Sequence, residues 1–238
     1  MSEDLICKWL EARQLMLPEI RPNKCGLLII DMQEYQVRKN WAAYKLNNFV
    51  VPGMLDYFME QTAVVVEPNI KKLIDCFRVN NLRIIYTMYS SFQKDGEDLA
   101  PRTKLFNLMA RERFADTAFP YKDHPGSKII DNLKPCENDL IVIKNTSSVF
   151  TATKLEFILR NMGIEQLYVT GVVTNMCVEG SARTASELGF EVFLIDDSCA
   201  AWSPAIHQHT LQSFSLLFGH VLTTEEAITK LKDKLVKQ

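Results

Sequence analysis

Short apolar runs recur along the chain, and stretches whose apolar positions repeat at helical spacing lie between them. Gly26–Ile30, Leu82–Thr87, Leu140–Ile143 and Leu167–Thr170 are continuous and rich in β-branched residues, and Glu191–Ile195 follows the same style. Such runs predict buried parallel strands, because a strand covered on both faces needs no polar alternation. Helices are predicted over Val66–Asn80, Thr153–Asn161 and Val178–Leu188, the last with Gly189 as its C-cap. A further helix is expected to begin near Thr224, where Thr-Glu-Glu supplies a cap and an acidic first turn. Strands alternating with helices imply an α/β fold with three layers, α-β-α, around a mostly parallel, Rossmann-like sheet.

Functional groups on such sheets gather beyond the carboxyl ends of the strands. Asp31, Thr87, Lys144 and Gly171 lie at or just past predicted strand ends, so they are expected to converge in one crevice. Residues 25–238 read as a single domain, and residues 1–24 as an N-terminal extension. The extension holds an amphipathic stretch, Leu5, Ile6, Trp9 and Leu10, suited to packing on the domain or on a partner subunit. Residues 34–62 are rich in aromatic side chains. Residues 89–125 mix charges, Pro and Gly and read as a long excursion, either a lid or a plain insertion.

Composition narrows the class. Of 238 residues, 47% are hydrophobic and 24% charged, and the net charge of −2 gives no electrostatic case for nucleic acid or an acidic membrane surface. No stretch approaches the roughly 20 apolar residues that a membrane span needs. Glu3 and Asp4 stand where a secretory signal would be basic, so a cytoplasmic location is expected. The six cysteines include no C-x-x-C pair, which leaves a zinc site unsupported. In a reducing compartment most of them are expected to be buried thiols acting as small hydrophobes.

Cys177 stands apart. In Gly171-Val172-Val173-Thr174-Asn175-Met176-Cys177-Val178 an apolar strand ends, a short turn follows and the cysteine opens a helix. A thiol at a helix N-terminus is expected to have a lowered pKa, and free N–H groups of the same turn can stabilise an oxyanion. A buried thiol filling space between strand and helix is the plain alternative. Asp31 ends an apolar strand, where a carboxylate without a partner is costly to bury.

These segments, taken in order, resemble the isochorismatase-like cysteine hydrolases. Leu27-Leu28-Ile29-Ile30-Asp31-Met32-Gln33 is similar to that family's opening strand and aspartate. Lys144 through Ser148-Val149-Phe150, with Thr153 and Leu155, is similar to its lysine segment. Gly126-Ser127-Lys128-Ile129, Gly163-Ile164, Gly171 to Val178, Ala182-Arg183-Thr184-Ala185, Asp196-Asp197, His207 and Leu211 continue the likeness across about residues 25–232. The resemblance implies a catalytic triad of Asp31, Lys144 and Cys177. Asp31 would accept the thiol proton and pass it to the leaving amine, and Lys144 would favour both anions. It also implies a cis peptide between Val172 and Val173, with the N–H groups of Val173 and Cys177 as the oxyanion hole. No cofactor and no metal is called for, and the resemblance suggests a homo-oligomer, a dimer or tetramer.

A thiol, an oxyanion hole and an acid–base carboxylate suit hydrolysis of a C–N bond in a small linear amide, carbamoyl or ureido compound through a thioester. Two relatives are weighed against this. Metal-dependent nicotinamidases carry an aspartate and histidines after the second strand, whereas Thr87-Met88-Tyr89-Ser90-Ser91 offers neither carboxylate nor imidazole. Vinyl-ether hydrolysis of the isochorismatase type needs no thiol, so Cys177 argues against it. A non-catalytic relative acting as a binding or redox protein is a further alternative. His207 is expected to pack or cap, and the Thr174 hydroxyl to help hold the turn. The chain departs from the family in having Gln36 where an aromatic residue is usual, with Tyr35 before it, and in the length of residues 34–62. Gln33, Trp41 and Phe150 are the candidates for lining the substrate pocket.

Overall fold

The first apolar run has no exposed side on either face, and it forms the centre of the molecule. In a computed structural model, which describes residues 3–236, this run is strand β1 (Cys25–Ile30). It pairs in parallel with β2 (Arg83–Tyr89) on one side and β4 (Gln166–Val172) on the other. β3 (Leu140–Lys144), β5 (Glu191–Ala200) and β6 (His220–Leu222) complete a parallel sheet in the order β3-β2-β1-β4-β5-β6. Alternation along β1 divides the core between two faces. Leu27 and Ile29 join Ile70, Ile74 and Phe77 of helix α5 and Ile228 and Leu231 of α10. Leu28 and Ile30 join Leu155 and Leu159 of α7, Ala182 and Ala185 of α8, and Phe214 of α9. The helices are α1 (Glu3–Gln14), α2 (Glu34–Val37), α3 (Ala42–Val50), α4 (Asp56–Gln61), α5 (Glu67–Val79), α6 (Pro101–Phe114), α7 (Leu155–Asn161), α8 (Glu179–Glu187), α9 (Pro204–Leu217) and α10 (Thr224–Leu235).

The predicted strands and helices all occur, with three adjustments. β5 runs on to Ala200, rejoining β4 through Gly171 and Val172 after a register shift. β6, three residues long, was not expected because so short a run leaves no period to read. The cap of α10 is Thr223, one residue earlier than expected. Its side chain and that of Glu226 bond reciprocally to each other's backbone amides, while Asp197 accepts from the Thr224 amide at 2.7 Å. Gly189 lies at φ +82°, and the Phe190 amide reaches back to Ala185 O at 3.0 Å to close α8.

Residues 34–62 fold into α2, α3 and α4, and α6 occupies the excursion at 89–125. The two regions pack on one another through Ala42, Leu46, Ala110 and Ala118, a small separate core. α1 rests against α9, with Leu5, Ile6 and Trp9 exposed. The side chain of Leu10 lies outside the described residues. No helix among the described residues is long and apolar enough to cross a membrane.

Candidate active site

Asp31 is the first residue beyond β1, held at φ +50° in the left-handed region that aspartate tolerates better than most residues. Thr87 of the neighbouring β2 clamps it twice. The Thr87 hydroxyl accepts from the Asp31 amide at 3.2 Å and donates to Oδ1 at 2.5 Å. Lys144 ends β3 and donates to Asp31 Oδ2 at 2.7 Å, with both side chains fully buried. Its Nζ also donates to Thr146 O at 3.1 Å and lies 4.9 Å from the centre of the Tyr89 ring. Burial works against the Lys144 ammonium, but its neighbours, Asp31 first and then Cys177, outweigh it and hold its pKa above the usual lysine value. The lysine is therefore a fixed cation beside the carboxylate.

Cys177 lies in a single wide turn, Thr174–Val178, that leads into α8, and its thiol lies beside the Asp31 and Lys144 side chains. Three strands thus bring the three sequence-predicted residues together. The expected lowering of the thiol pKa does not hold. Burial, then the negative charge of Asp31, push Cys177 up to about 12, and Lys144 pulls down without reversing the shift. The position at a helix start was legible locally; the depth of burial that outweighs it was not. The resting thiol is neutral, and a carboxylate lies beside it.

The turn is held from behind. Thr174 Oγ1 bonds His207 Nδ1 at 2.9 Å, and His207 Nε2 bonds Asp196 Oδ1 at 2.8 Å. His207 of α9 therefore ties the middle of β5 to the first residue of the turn that carries Cys177. The amides of Met176 and Val178 both point to Val173 O, at 2.9 and 3.3 Å. The Val172–Val173 peptide is cis. The Val149 amide donates to Ser181 Oγ at 3.1 Å, fastening the loop after Lys144 to α8.

A cavity of about 290 Å³ opens onto Cys177. Tyr35, Phe58, Tyr89, Phe119 and Trp202 are its aromatic wall, with Val173, Met176 and Ser147 also lining it beside Cys177 and Gln36, Arg102 and Thr103 contributing. The three residues expected to line it lie elsewhere. Gln33 is fully buried, its amide engaged with Ser127 O at 2.9 Å and Ser90 Oγ at 3.3 Å while its Oε1 accepts from the Tyr89 amide at 2.8 Å. It braces the strand ends. Trp41 packs edge-on to His124, ring centres 5.5 Å apart, and Phe150 packs on Phe190 in the α7–α8 core at 5.9 Å. Tyr35 and Gln36, seen in the sequence only as a departure from the family pattern, are the residues that face the cavity. No cluster of His, Cys, Asp and Glu among the described residues is arranged to hold a metal ion.

The isochorismatase domain family matches residues 25–226. The chain is 29% identical over 210 residues to YwoC of Bacillus subtilis, an uncharacterized isochorismatase family protein, covering 88% of this chain and 95% of that one. It is 25% identical over 220 residues to ureidoacrylate amidohydrolase RutB of Acinetobacter baylyi, covering 88% and 84%. Among solved structures it is similar to a cysteine hydrolase from Pseudomonas syringae pv. phaseolicola, with a TM-score of 0.75 at 23% identity over 91% of this chain and 96% of that one.

Proposed function

The chain belongs to the isochorismatase family of hydrolases, and from that premise we propose that it is a cysteine hydrolase cleaving the C–N bond of a small linear amide, carbamoyl or ureido compound. One observation carries the reading. The Cys177 thiol faces a cavity in front and lies beside the buried Asp31–Lys144 ion pair.

The neutral thiol begins the reaction by giving its proton to Asp31 as sulfur attacks the substrate carbonyl. The C–S bond forms and the carbonyl π pair moves to oxygen, where the N–H groups of Val173 and Cys177 receive the charge. Collapse of this intermediate breaks the C–N bond, and the proton held by Asp31 goes to the departing nitrogen. Water then attacks the thioester while Asp31 takes one of its protons. Cleavage of the C–S bond releases the acid, and Asp31 returns the proton to sulfur. Lys144 keeps its charge throughout and stays hydrogen-bonded to the carboxylate at 2.7 Å.

The test is release of ammonia or amine from a panel of small amides, ureas and carbamoyl acids, with Cys177→Ala alongside. Turnover by the native chain and none by the variant is expected. Hydrolysis that survives in Cys177→Ala would remove the nucleophile role and favour vinyl-ether chemistry by Asp31 and Lys144. The RutB relative, whose name gives a ureido acid as its substrate, supports including ureido acids in the panel.

A further inference from the structure

The cavity has one permanently charged side chain in its wall. Its other lining groups, the thiol apart, are aromatic, aliphatic, hydroxyl or amide, and Arg102 is the exception. Arg102 lies in the first turn of α6, and among the described residues its guanidinium has no carboxylate, carbonyl or aromatic partner. Nearby cations differ: Lys104 pairs with Glu97 at 2.7 Å, Lys39 with Asp56 at 2.7 Å, and Arg113 lies 3.8 Å over the Phe49 ring. The cap of α6 is Ala100, which offers the first-turn amides no side-chain acceptor. Thr103, beside Arg102, bonds the Tyr89 hydroxyl at 3.4 Å, and the Tyr89 ring in turn lies against Lys144. One aromatic side chain therefore separates the first turn of α6 from the catalytic lysine.

We propose that Arg102 is the specificity determinant of this site and that the substrate carries a carboxylate at the end opposite the scissile carbonyl. This rests on the hydrolase reading above. A guanidinium fork matches a planar carboxylate with two parallel N–H···O bonds. One fixed positive charge balances a monoanion; a phosphate dianion would leave a charge uncompensated beside Phe58, Phe119 and Trp202. Cys177 and Arg102 line the same cavity, and its volume of about 290 Å³ suits a molecule of only a few linking atoms between the scissile carbonyl and the carboxylate. The aromatic walls take the apolar linker.

The test compares monoamide acids with the diamides of equal length: malonamate, succinamate and glutaramate against malonamide, succinamide and glutaramide. Affinities are measured by calorimetric titration of the full chain carrying Cys177→Ala, which reads binding independently of turnover, and ammonia release is measured in the native chain. At least one acid is expected to bind about ten- to hundredfold more tightly than its diamide, the range that loss of a charged hydrogen bond spans. Arg102→Gln is expected to remove that preference and Arg102→Lys to restore part of it. In turnover the loss is expected in KM with kcat little changed, because Arg102 is remote from the reacting atoms. Equal affinity for acid and diamide, undetectable binding of both included, overturns the proposal, as does a preference that survives in Arg102→Gln. Tight acid binding without ammonia release would instead leave Arg102 in its role and overturn the hydrolase reading.

Discussion

At the scale of single residues the site is governed by which group carries the proton at rest. Asp31 raises the pKa of Cys177, so Asp31→Asn is expected to make the thiol easier to ionise while turnover is lost. The rate of alkylation against pH would show this. The native midpoint should lie above the free-thiol value of about 8.5 and move down in the variant. A midpoint that stays put would separate the carboxylate from the sulfur. The raised thiol pKa also bears on stability. The folded state holds its proton to higher pH than the unfolded chain does, so the contribution of Cys177 is complete below the ordinary thiol pKa and is lost as pH rises toward about 12. Lys144→Met leaves the Asp31 carboxylate buried without its counter-charge, and a loss of about 3–5 kcal/mol is expected in denaturant unfolding. Thr174→Val removes the hydroxyl that His207 holds. A fall of about ten- to hundredfold in kcat with KM unchanged is expected, and Thr174→Ser should recover most of it. Asp31 and Lys144 were legible at the ends of apolar runs and Cys177 at a helix start, while their grouping was expected only from the resemblance. The direction of the thiol shift was not legible, since it depends first on how deeply the folded chain buries residue 177 and then on the charge of Asp31.

At the scale of elements, two joints decide whether those residues meet. Gly171 in β4 has φ +107°, and a Cβ there would fall 2.1 Å from Ile30 O, the residue before Asp31. Gly171→Ala must push β4 from β1, and destabilisation of more than about 3 kcal/mol with loss of activity is expected from melting and assay. The second joint is Asp98, at the root of the α6 excursion. Its carboxylate accepts from the Ser91 hydroxyl, from the Phe92 amide at 2.9 Å, from the Gln93 amide at 3.3 Å and from Asn145 Nδ2 at 3.1 Å. Burial raises its pKa, but these hydrogen bonds prevail and hold it below the usual aspartate value. The stabilisation is therefore present above the ordinary carboxylate pKa of about 3.9 and is lost as pH falls through the lower folded value. Amide exchange at residues 92 and 93 is expected to accelerate in that acidic window, and at neutral pH in Asp98→Ala. Unchanged protection in Asp98→Ala would mean that the excursion is held by its α3 contacts alone. The sequence marked 89–125 as an excursion from its mixed composition. It carried no sign of the anchor, because Asp98 reads as one more surface acid until Asn145 is brought beside it.

At the scale of the whole molecule, the sheet was readable in the apolar runs because strands buried on both faces leave a continuous signature. The cavity was not, because its walls come from α2, α3, α4, α6, the end of β2 and the segments after β3, β4 and β5, none of which shares a period with another. The placement of Gln33, Trp41 and Phe150 outside it follows from the same cause: proximity in sequence to Asp31 or Lys144 says little about which side of the sheet end a side chain reaches. The sheet order has a further consequence. Asp31 and Cys177 extend from the two central strands, whereas Lys144 ends β3, an edge strand with Ile141 46% exposed and a neighbour on one side only. Edge strands open at lower free energy than the centre of a sheet. On slow warming, heat inactivation should therefore run ahead of melting. Fraying of the rim would draw the lysine from its carboxylate while the remaining strands keep their circular dichroism, and cooling from that interval should bring activity back.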